Sequence, residues 1–180
     1  MIIAKAKKKE NIAEYILYMW QVENLIRLLN LDIEKINTEI IMKFDQPDEV
    51  KNEMKDWYLG LINMMKDENK VENGHLQFIQ NTINDLNDLH LRMIESPTEY
   101  DYKAFYALAK PGITDLVEKS NQKEISEIEA CFNALYGLLL FRMQNKTISI
   151  ETAQAMQHIS KLIAELSKRN KQIELGEIEF

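Results

Sequence analysis

The chain has 180 residues, 46% of them hydrophobic, with 29 acidic against 22 basic side chains and a formal charge of −7. That length fits one domain with a sizeable core, and the acidic balance repels nucleic acid and anionic membranes rather than attracting them. Five Gly and three Pro leave little turn material for a β protein, and a single cysteine, Cys131, allows no internal disulfide.

The opening MIIAKAKKK puts apolar residues before basic ones, the reverse of a secretory signal, and no stretch approaches 18 uninterrupted apolar residues. The expectation is a cytoplasmic protein with no membrane contact. Residues 1–9 read as a short solvated arm; Lys5, Lys7, Lys8 and Lys9 could touch phosphate, which leaves RNA binding as a third reading that rests on four lysines alone against the net charge, and no nucleic-acid partner is expected.

From Ile12 to Asn30 large apolar residues cover most of the helix circumference: Tyr15, Met19, Val22, Ile26 and Leu29 on one band, Ile16 and Trp20 off it, Leu17 and Leu28 nearly opposite. A helix apolar on most sides is normally buried by neighbours on most sides, so this segment is expected to be the central helix. Asp32 is placed to cap a second helix whose face is Ile33, Ile36, Ile40, Ile41 and Phe44. Asp45 or Gln46, with Pro47 at the first helical position, opens a third with the stripe Val50, Met54, Trp57, Tyr58, Leu61, Ile62 and Met65. Gly74 marks a bend. His75–Glu95 follows as a helix with Leu76, Ile79, Ile83, Leu86, Met93 and Ile94 on one face.

Ser96-Pro97-Thr98-Glu99 has the form of a capping box, and Pro111 predicts a break or kink at Ala109-Lys110. Glu124–Gln144 is the second very apolar helix, with Cys131 as a small buried thiol. Ser149 caps a last helix with Ile159, Leu162, Ile163 and Leu166 inside, and residues 167–180 read as a polar tail. The architecture is all-α: a compact array of six or seven helices, in one domain spanning 1–180, around the apolar N-terminal helix.

The run KKENIAEYILYMWQVENLIRLL resembles the opening of a bacterial family, chiefly from Bacteroidetes, catalogued as domain of unknown function 4924. The resemblance rests on Asn11-Ile12-Ala13-Glu14-Tyr15, Tyr18-Met19-Trp20-Gln21 and Glu23. It implies an all-helical cytoplasmic protein and supplies no activity, ligand or catalytic residue.

No motif completes a chemistry. Glu72-x-x-His75 has the spacing of a carboxylate-bridged dimetal site, but no second copy exists and Gly74 disrupts the helix. His75, His90 and His158 would suffice for one metal ion, yet the first two lie about 22 Å apart if they share a helix. Asp85-x-x-Asp88 points away from the apolar face. Glu124-x-x-Glu127 lacks the second carboxylate pair that a helical pyrophosphohydrolase needs. No metal and no cofactor are expected.

The informative charges are Glu23 and Arg27, four residues apart on the most apolar helix, where desolvated charges persist only with partners. The structural reading is a buried polar network that also draws in Arg142, taken to face inward among Cys131, Leu135 and Leu138. The functional reading is a ligand-binding patch of Tyr15, Tyr18, Trp20, Glu23, Arg27 and Arg142. With no catalytic set, the sequence favours a non-catalytic protein–protein interaction or scaffold module that binds a protein partner or associates with itself. The alternative is a small-ligand-binding protein or enzyme, with its site near Glu23 and Arg27 or at a histidine-bound metal.

Overall fold

The computed structural model describes residues 2–120 and 125–179. The fold is all-α: eight α-helices and one short 3-10 turn, with no strand among the described residues. They are α1 (Ile2–Glu10), α2 (Ile12–Leu28), α3 (Ile33–Glu39), α4 (Asp48–Asp67), α5 (Gln77–Glu95), α6 (Tyr100–Lys119), α7 (Glu127–Met143) and α8 (Ile150–Glu174), with the 3-10 turn at Ile41–Lys43. The backbone clusters into two compact units: residues 1–10 with 14–81, and residues 11–13 with 82–180.

In the first unit, α1 replaces the expected arm. Its two alanines and run of lysines are good helix formers, although Ala4 is its one buried residue. In α2, Tyr15, Ile16, Met19, Trp20, Val22, Glu23 and Ile26 are buried, whereas Leu17 is half-buried and Leu28 exposed. α2 ends with Asn30 and Leu31 in left-handed conformations, the Leu31 amide donating back to the Ile26 carbonyl at 2.9 Å. Asp32 then caps α3 as expected, its side chain accepting from the Glu34 and Lys35 amides. Pro47 sits at the cap of α4, one position earlier than expected, and α4 buries Met54, Tyr58, Leu61, Ile62 and Met65. The bend at Gly74 is present, with φ +77°.

In the second unit, α6, α7 and α8 pack on one another. Two start and stop signals behave differently from the expectation. Ser96 accepts from the Thr98 amide in a local turn, and α6 begins at Tyr100 instead. Glu99 does not close a capping box; it pairs with Arg169 at 3.1 Å. α6 also runs through Pro111 without ending. Both Pro111 and Ala107, whose carbonyl loses its donor there, lie on the exposed face, where water can take the free acceptor. Gly112 faces α8, where a Cβ would sit in ordinary contact with Ala155 at 3.4 Å and Ile159 at 3.6 Å.

Ser126 and Ser149 cap α7 and α8, the latter as expected. The polar tail is not separate: α8 continues to Glu174, with Ser167 buried. Charged, flexible side chains propagate a helix well, and the Asn170 amide donates to Glu174 one turn on.

Candidate functional site

Glu23 is fully buried on α2. One carboxylate oxygen lies 2.6 Å from His75 Nδ1 and the other accepts from the Leu76 amide at 2.8 Å. Leu76 immediately precedes α5, so the carboxylate caps that helix from another element and faces the positive end of its dipole. Glu68 does the same for the next residue, accepting from the Gln77 amide at 2.7 Å. The His75 ring stacks on the buried Trp20 indole, with centroids 4.0 Å apart and planes 11° from parallel.

One helical turn along α2, Arg27 grips the loop before His75. Its guanidinium donates to the Lys70 carbonyl at 3.0 and 3.3 Å, to the Gly74 carbonyl at 2.5 Å and to Asn24 Oδ1 at 2.9 Å. The fork geometry of Arg is what allows two carbonyls of one loop to be held at once. Glu23 and Arg27 therefore form a latch: adjacent turns of α2 fix residues 70–76 and the start of α5. Facing the carboxylate, Nδ1 is placed to donate to it. The side chain is 23% exposed.

The patch expected from the sequence divides in the fold. Trp20, Glu23 and Arg27 meet at one loop. Tyr15 is buried on α2 with Lys8 Nζ over its ring at 5.6 Å, and Tyr18 is half-buried and, after burial itself, helps to push up the pKa of Tyr58. Burial raises the pKa of both Tyr15 and Tyr18. Arg142 is not inside: it is exposed in the last turn of α7, and Glu23 spends its carboxylate on His75 and Leu76. The expected Glu23–Arg142 pair is thus replaced. Both lie on very apolar helices, but the end of α7 projects into solvent, where an arginine needs no partner. Sequence reasoning passed over His75 as half of an incomplete metal motif. The signal available was its place directly after Gly74 and two residues before a helix start, where an imidazole can meet a carboxylate from another element.

A second polar cluster lies in the other unit. His90, 1% exposed on α5, has its Nδ1 2.6 Å from the Tyr102 hydroxyl and its ring edge-on to Tyr102 and Tyr106. Its Nε2 faces Glu127 Oε2 at 3.6 Å, too long for a hydrogen bond. Lys110 supplies the close contact, 2.5 Å from Glu127 Oε1 and 2.7 Å from the Tyr106 hydroxyl. The His90 ring, then Lys110 and Tyr106, hold the Glu127 carboxyl down at about 2. Glu127 and Tyr106 in turn raise the Lys110 pKa, so the amine stays protonated and is no nucleophile. Burial raises Tyr102, which keeps its proton. The Tyr102 hydroxyl is placed to share a hydrogen bond with Nδ1, whereas His90 Nε2 and Glu127 Oε2 are buried without a hydrogen-bond partner among the described residues.

His75 lies in the first unit, His90 and His158 in the second. Among the described residues no group of three or more His, Cys, Asp or Glu is placed to hold a metal ion. Asp85 and Asp88 are both exposed on α5, and Glu124 lies outside the described residues.

Residues 1–177 match the model of a family described as a domain of unknown function, DUF4924. The chain belongs to that family. No curated protein and no solved structure matches it. DUF4924 brings no described activity, so the function has to be argued from the two clusters and from the surface. No helix of the described residues is long and apolar enough to cross a membrane.

Proposed function

We propose that the protein is a non-catalytic protein–protein interaction module of the cytoplasm. The observation that carries this reading is the end of α7. The helix is apolar on nearly every side, yet Leu138, Leu139 and Leu140 are only half-buried, and Phe141 and Met143 are 45% and 67% exposed. Ile150, at the start of α8, is 73% exposed. An apolar surface of this kind is stable in water when another molecule covers it. The polar groups in both His–Glu clusters serve packing, which favours a scaffold over a catalyst. The test is site-specific photo-crosslinking in cells, with the reactive group at Met143 and, as a control, at the exposed Asp85. Protein crosslinks at Met143 and none at Asp85 support the module; no crosslink at either position overturns it.

A second reading has one observation behind it. Glu23 and Trp20 fix His75 in position and plane while the side chain stays partly exposed, as for an imidazole that binds a Lewis acid or abstracts a proton. Native mass spectrometry decides it. A small molecule or metal ion that copurifies and is lost on His75→Ala would favour the ligand-binding reading; bare protein would remove its support.

A further inference from the structure

We propose that Asn73 is a self-modifying site, whose conversion to isoaspartate releases the latch that Arg27 and Glu23 hold on residues 70–76. This step is independent of the interaction-module reading. The sequence contains one asparagine followed by glycine, Asn73-Gly74. Both residues are exposed, in a bent segment between the end of α4 and the start of α5. Gly74 takes φ +77° there, and it has no Cβ to shield its amide nitrogen. Asn69 and Asn145 are also exposed outside the helices, but a lysine follows each, and its side chain crowds the nitrogen. The chemistry consumes only water. The Gly74 nitrogen attacks the side-chain carbonyl carbon of Asn73, Cγ. The new N–Cγ bond closes a cyclic imide, the Cγ–Nδ2 bond breaks, and Nδ2 leaves as ammonia with the proton that the Gly74 nitrogen gives up. Water then opens the ring. Breaking the new N–Cγ bond yields aspartate. Breaking the original bond, between the nitrogen and the main-chain carbonyl carbon of residue 73, leaves the chain running through the side chain as isoaspartate.

The flanking contacts give that second product its consequence. Arg27 Nη2 donates to the Lys70 carbonyl at 3.0 Å and to the Gly74 carbonyl at 2.5 Å, so both ends of the segment 70–74 are fixed on one guanidinium group. Two residues further on, Glu23 holds the Leu76 amide at 2.8 Å, and His75 between them stacks on Trp20. Isoaspartate adds a methylene to the main chain between the two carbonyls, a bond of about 1.5 Å. Only residues 71–73 lie between these anchors, and a hydrogen bond tolerates stretching by a few tenths of an ångström. The added length displaces a carbonyl from the guanidinium and with it the path of the chain into α5. Aspartate, the other product, adds the same charge without the extra atom. The change runs one way and is set by the age of the chain rather than by a ligand.

Ageing the purified full chain in mildly alkaline buffer, which favours the attacking form of the amide nitrogen, tests this. Peptide mapping by mass spectrometry, with a fragmentation that distinguishes isoaspartate from aspartate, should find Asn73 converted roughly tenfold or more ahead of Asn69 and Asn145, as expected for the unshielded nitrogen. Amide hydrogen exchange in the peptide that carries Leu76 and Gln77 should lose protection in step with the isoaspartate fraction. Asn73→Gln keeps an amide but would have to close a larger ring, and should retain both the amide and the protection over the same period. Asn73→Asp, measured fresh, carries the charge without the extra atom and should stay protected. Residue 73 is exposed, so both variants should fold as wild type does. Conversion of Asn73 no faster than that of Asn69 and Asn145 overturns the site. A converted chain whose exchange at Leu76 and Gln77 is unchanged overturns the release of the latch. A fresh Asn73→Asp chain that exchanges as fast as aged wild type assigns the release to charge and overturns the role of isoaspartate.

Discussion

Two histidine–glutamate pairs occupy the two units of this protein, and they are stabilised by different means. At Glu23 the carboxylate is fully buried and no Lys or Arg among the described residues contacts it; its compensation is the His75 imidazole, one backbone N–H and the amino end of α5. At Glu127 the carboxylate is 30% exposed, the histidine stands off at 3.6 Å, and Lys110 carries the contact. The comparison separates a carboxylate held by directional donors from one held by a countercharge. The first depends on each donor staying in register, because a buried group that loses one pays its full desolvation. The second can tolerate movement, since a partly exposed ion pair is screened and its members can re-solvate.

The sharpest break of that contrast is Glu23→Leu. It leaves the His75 and Leu76 donors without an acceptor in a buried site and should cost about 3–5 kcal/mol. Glu23→Gln keeps an acceptor for Leu76 and should cost less than half of that. Urea melts followed by the fluorescence of Trp20 and Trp57 would measure both. A loss below about 0.5 kcal/mol for the leucine variant would mean that the latch carries no stability.

Acid should act on the other pair. The Glu127 carboxyl is lowered from 4.5 to about 2, so its stabilisation is fully present above 4.5 and is lost as the pH falls through 2. With allowance for its partial exposure, the loss amounts to about 1–3 kcal/mol. Glu127→Gln should flatten the pH dependence of stability across that window. An unchanged slope would assign the acid sensitivity to other carboxyl groups.

Smaller effects test the loop and the end of α7. Gly74→Ala puts a side chain at φ +77° and within 3.3 Å of Lys70, and should cost about 1 kcal/mol. Arg142→Met, measured at high dilution, should change stability by less than about 0.5 kcal/mol, since the residue is exposed. A large loss there would return Arg142 to the interior where the sequence had suggested it.

Local signals were legible wherever one side chain decides the outcome. Asp32 and Ser149 cap the helices that their positions predicted, and most of the α4 and α5 stripes is buried, with Val50, Trp57 and Ile94 half-buried. What escaped depends on distant partners. Nothing near Glu99 in sequence announces Arg169, which draws it away from the capping role. Nothing near Glu23 announces His75, 52 residues on. Apolar composition alone also misled at Arg142, because α7 is as apolar at its exposed end as at its buried one, and periodicity cannot tell a covered face from one awaiting a partner. At Pro111 the helix continues instead of breaking, and the freed Ala107 carbonyl lies on the exposed face where water can reach it.

Cys131 gives the second unit an internal clock. Its thiol is buried in α7 and pushed up to about 12 by desolvation, then by Glu127 nearby, so in the closed structure it has neither access to a reagent nor a usable fraction of thiolate. Alkylation must wait for α7 to open. As the sequence contains no other cysteine, the rate at which an added thiol reagent labels the chain reports the opening of that helix and nothing else. Labelling that slows when a partner binds would show that whatever covers the far end of α7 also holds its buried end shut.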